Sequence, residues 1–284
     1  MNPQSEEISP VPLPNEPVIE DVNKATEQYI FRNEKFSIFI YGLLLVGLLA
    51  VILAYRLDIR LLTVPFFIIA IAYGHISAKI KREFTEQFGA SIGFTYSPSA
   101  GMETVSGKIF RTGHSQAISD VLSGVHDNLP MRIFSFRFTV GSGKSSHTYF
   151  YTIFEARLNN PVPDILLFSS THALAVSDWF SGDETIELEG DFNRYFRLRV
   201  PRGCEQEAYQ IFTPDVMADL IDRARDYSFE FSGDRLYVVA AKVIGKREEM
   251  QAMFDLVTFM DNLFRRNARA LDMTGQADLR SIGQ

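Results

Sequence analysis

A run of twenty residues without a charged side chain, Phe36 to Tyr55, constrains this chain more than any other feature. At about 1.5 Å per residue, a helix of that length measures about 30 Å, which is the thickness of the hydrocarbon core of a bilayer. A second apolar run of seventeen residues, Leu61 to Ser77, follows after the short segment RLDIR. The two runs predict a transmembrane helical hairpin with spans at about 36–55 and 61–77.

Two other interpretations of these runs exist. A secretory signal peptide fits poorly, because 35 residues precede the first run, its apolar core is too long, and no small-residue cleavage site follows it. A buried helical hairpin in a soluble protein would need a large core, which 284 residues with many strand-like segments hardly provide. The membrane hairpin is therefore the favoured interpretation.

Basic residues are distributed unevenly around the two runs. Five flank the outer ends and two lie in the turn, namely Arg32, Lys35, Lys79, Lys81 and Arg82 against Arg56 and Arg60. Cytoplasmic loops of membrane proteins carry an excess of Lys and Arg. The sequence therefore predicts a multi-pass protein of the cell membrane with cytoplasmic N- and C-termini.

Composition and local pattern divide the chain into four segments. Residues 1–19 are rich in proline and glutamate, and with the polar residues 268–284 they are predicted to be disordered tails. Residues 20–92 are assigned to the hairpin and its flanking helices, with the second helix continuing to about Phe88. Residues 93–267 are assigned to a cytoplasmic domain. The predicted fold class is α+β, a transmembrane hairpin followed by a mostly antiparallel sheet with two or three packed helices.

The stretch GSGKSS, Gly141 to Ser146, resembles the end of a phosphate-binding loop. A Walker loop also requires a glycine at position 138, and that residue is Phe138. Residues before the stretch alternate between apolar and polar, and those after it are aromatic or β-branched, as strands are. We therefore predict a turn in a β-hairpin and no nucleotide site.

Shorter patterns predict the remaining elements of the α+β domain. Residues 118–134 favour a strand entering a three-stranded meander with a turn at Asp127-Asn128, although a helix fits part of the segment. Further predicted elements are strands at Asp164–Ser170, Arg197–Val200 and Ala208–Phe212, a helix beginning at Thr213-Pro214, a hairpin of Tyr227–Phe231 with Arg235–Ala240, and a closing helix with a methionine-containing core stripe from Met250 to Phe264.

Charge argues against a nucleic-acid partner. The net charge of −7 lies in residues 83–284, which carry 20 basic and 27 acidic residues. One group of arginines is flanked by acidic residues and is interpreted as a mixed, solvated surface, with an anion site as the alternative: Arg194, Arg197, Arg199 and Arg202.

Residues with catalytic or ligating chemistry show no supporting motif. The single Cys204 excludes an intramolecular disulfide, and the five histidines lack the spacings of helical metal sites. We therefore predict no catalytic residue, no cofactor and no metal site. An enzyme would have to bring together groups such as His114, Asp120, His126 and Cys204.

Two stretches are similar to a known kind of protein. They are RIFSFRFTVGSGKSSHTYFYTIFE and ELEGDFNRYFRLRVPRGCEQEAYQIFTPDVMADLIDRA, which with the two spans make up a little over a third of the chain. The chain resembles uncharacterised bacterial membrane proteins in which a two-helix transmembrane hairpin precedes a cytoplasmic α+β domain. This resemblance implies the architecture and implies no activity.

Three functions remain open at this point. The first is a non-enzymatic membrane-anchored binding or scaffolding module, whose partners are the lipid bilayer and a protein or lipid bound by the cytoplasmic domain. The second is a membrane-anchored hydrolase. The third is a subunit of an oligomeric transport or channel assembly, for which a homo-oligomer would be needed because two spans without charge offer no polar pathway. The first is favoured, since no catalytic constellation is visible in the sequence.

Overall fold

A computed structural model of the chain describes residues 19–32, 34–53, 64–170 and 183–263. The chain divides into two compact units, which we name the helical unit, Met1–Ile92 with Gly245–Glu248, and the sheet unit, Gly93–Ile244 with Glu249–Gln284. The predicted disordered tails, apart from Ile19, and the turn between the two apolar runs lie outside the described residues.

Three helices make up most of the described residues of the helical unit. They are α1 (Val22–Arg32), α2 (Glu34–Leu53) and α3 (Val64–Ser91), and each contacts the other two. The helical conformation predicted for both apolar runs is confirmed within the described residues. The predicted continuation of the second helix to Phe88 is also confirmed, because α3 runs unbroken for 28 residues, or about 42 Å.

Within the described ranges, no helix meets the combined length and hydropathy of a membrane-crossing segment. Both apolar runs extend into residues that are not described, the first beyond Leu53 and the second before Val64. The α+β part of the predicted fold class is confirmed, and the transmembrane hairpin stays a prediction.

The sheet unit is built on an antiparallel sheet that has seven strands in the described part of the chain. The strands are β1 (Thr95–Ala100), β2 (His114–His126), β3 (Leu129–Val140), β4 (His147–Ser169), β5 (Asp183–Ile186), β6 (Phe196–Pro201) and β7 (Ser228–Ala240). The strand order is β1-β2-β3-β4-β6-β5, in which β3 and β6 pair with successive parts of one edge of β4. β7 pairs along the opposite edge of β4. The helices are α4 (Phe192–Tyr195), α5 (Glu205–Ile211), α6 (Pro214–Ala224) and α7, described over residues 247–263.

Both predicted turns of the meander are confirmed. Asp127 and Asn128 have φ angles of 50° and 61° and join β2 to β3, as a two-residue hairpin turn requires. The GSGKSS stretch joins β3 to β4 with Val140 paired to His147, so it is the turn of a hairpin. The strand predicted over residues 118–134 is confirmed as the end of β2 and the start of β3.

β4 and β7 are longer and more continuous than the sequence predicts. Asp164–Ser170 is not a separate strand, since residues up to Ser169 form the last part of β4. The predicted hairpin of Tyr227–Phe231 and Arg235–Ala240 is wrong, because β7 pairs with β4 on both sides of Gly233. Gly233 has a φ of 61°, and the register shifts where it pairs, so it forms an irregularity in one strand instead of a reversal.

The prediction of a strand at Ala208–Phe212 is also wrong, because that segment overlaps helix α5. Ala208, Ile211 and Phe212 are buried at spacings of three and four residues, which is the pattern of one helix face. A run of five residues was too short to separate this pattern from that of a strand. The helix predicted at Thr213 is confirmed as α6, with Val216, Leu220 and Ala224 buried.

The two faces of the sheet bury different groups. On one face an aromatic cluster from β3, β4 and β7 packs against Ile109 and Phe110, which lie in the 3-10 turn Lys108–Arg111. On the other face, Phe154 of β4 contacts Phe254 of α7 edge to face, with ring centroids 5.4 Å apart. The methionines of the predicted stripe, Met250, Met253 and Met260, are buried, so the prediction that this stripe is core is confirmed.

Candidate functional site

Three arginines and one glutamate lie together on the face of the sheet that carries the aromatic cluster. Arg132 of β3 is paired directly with Glu155 of β4, and Arg157 of β4 is paired directly with Arg235 of β7. Glu155 and Arg157 are two residues apart on one strand and therefore point to the same face. We name the site formed by Arg132, Glu155, Arg157 and Arg235 the arginine cleft.

Glu155 is the buried centre of the arginine cleft, with 7% of its side chain exposed. The Nε of Arg132 donates a hydrogen bond of 2.6 Å to its Oε2, and the Nη1 of Arg235 donates one of 2.7 Å to its Oε1. Both guanidinium groups also donate to the main-chain carbonyl of Thr104, at 3.0 and 2.7 Å. The carboxylate is therefore held on both sides, and a loop carbonyl fixes the two arginines.

A cavity of about 320 Å³ opens beside these side chains. Besides the four residues of the cleft, Thr104, Ser123, Gly124, Pro130 and Met131 line it. Arg157 is the most open of the arginines, with 58% of its side chain exposed, and its Nε lies 3.0 Å from the exposed carboxylate of Asp234. The cleft therefore combines three guanidinium groups with one buried and one exposed carboxylate, an excess of positive charge.

A second buried carboxylate, Glu230 of β7, holds the 3-10 turn against the sheet. The main-chain N–H of Ile109 donates to its Oε2 at 3.0 Å, and the N–H of Lys108 donates to its Oε1. Burial raises the pKa of Glu230 to about 7, although these two donors and the nearby Lys108 ammonium act in the opposite direction. Both oxygens of Glu230 are used to fix a turn, which is a structural role.

A larger cavity of about 530 Å³ lies in the helical unit, between α1, α3 and residues 246 and 248. Its charged lining has both signs, including Asp21, Lys24, Glu83 and Lys246. Asp21 and Lys246 approach within 4.0 Å. Four acidic and two basic side chains line it in all, so the lining has an excess of negative charge. No residue of this lining is a buried charged group, whereas the arginine cleft has Glu155 at its centre.

α2 and α3 expose large apolar side chains in unusual number. Among the side chains that the structure describes on these two helices, nine are between 42% and 69% exposed: Ile38, Tyr41, Leu44, Leu45 and Val46 on α2, and Phe67, Ile68, Ile71 and Tyr73 on α3. We name this set the apolar helix surface. Large exposed apolar patches on proteins mark sites of interaction with other proteins or with membranes.

The groups that an enzyme would need lie apart. His114 and His126 are the first and last residues of β2, a strand of 13 residues. The Nε2 of His114 lies 2.9 Å from the carbonyl oxygen of Gly141, whereas the ring of His126 packs on Phe254. Cys204 precedes α5, after a different strand. His114 and His126 contact different groups at opposite ends of β2 and do not form one site.

Two of the four arginines near β6, Arg194 and Arg202, lie in the mixed, solvated surface that the sequence predicts, whereas Arg199 is half-buried. Arg194 lies 3.2 Å from Asp191, and Arg202 lies 3.4 Å from Glu184, all with largely exposed side chains. The arginine cleft, in contrast, was missed, because its members are spread over more than a hundred residues and share no motif. The available signal was Glu155, a charge within the apolar run YTIFEA of a strand.

Ligands for a metal ion are not grouped in the described part of the chain, where no set of three or more His, Cys, Asp or Glu side chains is suitably placed. The arginine cleft supplies one carboxylate, and two guanidinium groups already occupy it.

The fold and its sites define an α+β protein with a helical unit and an antiparallel sheet unit. No family model matches the sequence, and neither does any curated protein. Among solved structures, the chain is similar to the crystal structure of the mycobacterial trehalose monomycolate transport factor A, TtfA, with a TM-score of 0.51 and 10% identity. The similarity covers 65% of this chain and 94% of that chain, and at this identity it shows the fold alone.

Proposed function

We propose that this protein is a non-enzymatic binding or scaffolding module that α2 and α3 attach to the cell membrane. The apolar helix surface is the observation that carries this proposal. Burial of a large apolar side chain contributes about 1.5–3 kcal/mol relative to leaving it in water, and nine such side chains lie on two neighbouring helices. A bilayer accepts this surface without requiring any polar partner, since a helix satisfies its own backbone hydrogen bonds.

The basic residues at the end of the second apolar run fit this arrangement. Lys79 and Arg82 are exposed on α3 directly after the apolar part, where they can reach anionic lipid head groups. Together with Arg32 and Lys35 they favour cytoplasmic termini, and hence a sheet unit that faces the cytoplasm.

Binding, as opposed to catalysis, is proposed for the sheet unit because the arginine cleft lacks a free base. Glu155 is engaged by two guanidinium groups, so it is not available to accept a proton from a substrate. The two histidines that the hydrolase alternative invokes lie at opposite ends of β2, and no observation favours that alternative.

A role in a transport assembly is the second candidate, and one observation favours it. A solved structure that shares the fold is that of the mycobacterial trehalose monomycolate transport factor A. A shared fold does not by itself transfer a function. The transport candidate keeps the binding role of the first candidate and differs from it in what the bound partner does.

Membrane attachment is tested by fractionating cells that express the full chain and washing the membranes with alkaline carbonate. The wild-type protein is expected in the carbonate-resistant fraction. Leu45→Arg combined with Ile71→Arg should move most of it out of that fraction, because arginine at these positions opposes burial in lipid. Val125→Arg is the matched control, since Val125 is an equally exposed apolar residue of the sheet unit. Wild-type protein in the soluble fraction would refute the proposal.

A further inference from the structure

We infer that the arginine cleft binds a phosphate-type oxyanion. This inference deepens the proposed binding role of the sheet unit and rests on it, but it does not rest on membrane attachment. The ligand is a small molecule or head group that carries a phosphate, because the cavity of about 320 Å³ lies at the lower end of the size range of ligand pockets.

The first argument is the pairing of Arg157 with Arg235. Like charges placed directly opposite each other on neighbouring antiparallel strands repel and destabilise the sheet. The pairing places two guanidinium groups on neighbouring strands beside the cavity. An arrangement that opposes the fold locally is expected where a site serves binding.

The second argument is the number of donors. A guanidinium group has five N–H donors, and its planar fork matches the oxygen atoms of phosphate. Glu155 and Thr104 take bonds from the Nε and Nη2 of Arg132 and from the Nη1 of Arg235. Both arginines also line the cavity, so Glu155 and Thr104 hold two guanidinium groups in place at its wall.

The third argument is the row of residues that leads into the cavity. Ser123 of β2 is paired with Arg132, which is paired with Glu155, so the three side chains form one row across three strands. Ser123 is exposed and adds a hydroxyl donor on the side of the cavity opposite Arg235. Hydroxyl, guanidinium and nearby backbone groups are the donors that phosphate sites use.

The fourth argument is charge. The chain as a whole is acidic, with a net charge of −7, so it repels anions at long range. A cleft with three guanidinium groups and two carboxylates reverses that sign locally. Arg157 adapts most easily to a ligand, because its carboxylate partner Asp234 is exposed and is screened by water.

The test is isothermal titration of the full chain in a neutral detergent with two probes. Glycerol 3-phosphate represents a free phosphate, and dihexanoyl phosphatidylglycerol represents a lipid head group. Saturable binding of either probe is expected, and the probe that binds more tightly identifies the source. Glycerol, which lacks the phosphate, should not bind.

Arg157→Gln is expected to weaken binding of the preferred probe at least tenfold, since a hydrogen bond between charged groups is lost. Arg194→Gln is the matched control, because Arg194 is also an exposed arginine paired with an aspartate, and it should bind within twofold of wild type. Arg235→Gln, checked for folding by circular dichroism, should abolish binding.

Two results would overturn the inference. One is the absence of saturable binding of both probes to the wild-type protein at millimolar concentration. The other is equal affinity of Arg157→Gln and Arg194→Gln. Carbonate fractionation of the same variants is expected to be unchanged, so a failure of this inference is distinguishable from a failure of membrane attachment.

Discussion

Gly107 lies against the carboxylate of Glu230, and a Cβ atom on residue 107 would come within 2.7 Å of Oε2. The φ angle of Gly107 is −64°, which any residue adopts, so glycine is required here for space and not for conformation. The close approach lets the next two main-chain N–H groups reach Glu230. The absence of a side chain at residue 107 therefore allows Glu230 to hold the turn that covers the aromatic cluster.

Replacement of Gly107 by alanine should lower the free energy of unfolding of the sheet unit by about 1–3 kcal/mol, because the added methyl group displaces Glu230 or the turn. Gly101→Ala is the control, since Gly101 also precedes a 3-10 turn with a φ of −74° and a Cβ there would meet only the exposed side chain of Glu103. Hydrogen exchange of the β7 amides in the full chain measures the difference. Equal protection in the two variants would contradict the steric argument.

Glu230 should make stability depend on pH. Its pKa is raised by burial from 4.5 to about 7, so the folded state binds a proton that the unfolded state releases between these values. Stability from this group is therefore fully present below pH 4.5 and is lost as the pH rises to about 7. Glu230→Gln removes the titrating group, so the change in the free energy of unfolding between pH 5 and pH 7.5 should become smaller by about 2–3 kcal/mol. Thermal unfolding of both proteins at pH 5 and pH 7.5 measures it, and parallel shifts would show that Glu230 does not titrate in this range.

Glu155 should contribute to stability more than an exposed acidic residue does. Glu155→Gln leaves Arg132 and Arg235 facing each other without the charge that holds them, and we expect a loss of about 2–4 kcal/mol. Glu184→Gln breaks an exposed pair with Arg202 and should cost less than about 1 kcal/mol. Urea denaturation of the full chain compares the two variants. A loss no larger for Glu155 than for Glu184 would contradict the buried role.

The continuity of α3 can be measured directly. Ala78 and Ala90 are both exposed and are twelve helical steps apart, so spin labels attached there should give a narrow distance distribution centred near about 18 Å. Insertion of Gly-Gly after Glu86 should broaden the distribution, because two glycines weaken the helix between the labels. A broad distribution in the uninterrupted chain would show that α3 bends or frays.

Periodicity and turn chemistry account for the parts of the fold that the sequence predicts. The alternating residues of β3 and the Asp127-Asn128 turn are local signals, and the structure bears out both. The errors arise where a local signal is ambiguous: Gly233 is typical of a turn, yet it lies within a strand that pairs with β4 on both sides of it. The five residues at Ala208–Phe212 fit either period.

Local sequence signals could not predict how the arginine cleft is assembled, for a related reason. Arg132 and Glu155 meet because β3 and β4 are adjacent, but Arg235 joins them only through the pairing of β7 with β4. A single sequence does not reveal which distant strands pair. The burial of Glu155 could be suspected from its apolar neighbours, but its partners could not be named.

The placement of β7 beside β4 also determines at what stage of translation the arginine cleft can form. β2 to β4 are joined by short turns and can pair as soon as each hairpin has been synthesised, since closing a short loop costs little entropy. Arg235 follows Glu155 by 80 residues, so its strand reaches β4 only near the end of translation. Until then Glu155 lies at an open sheet edge with one of its two arginines absent. A ribosome-bound chain therefore has most of its sheet before it has a binding site.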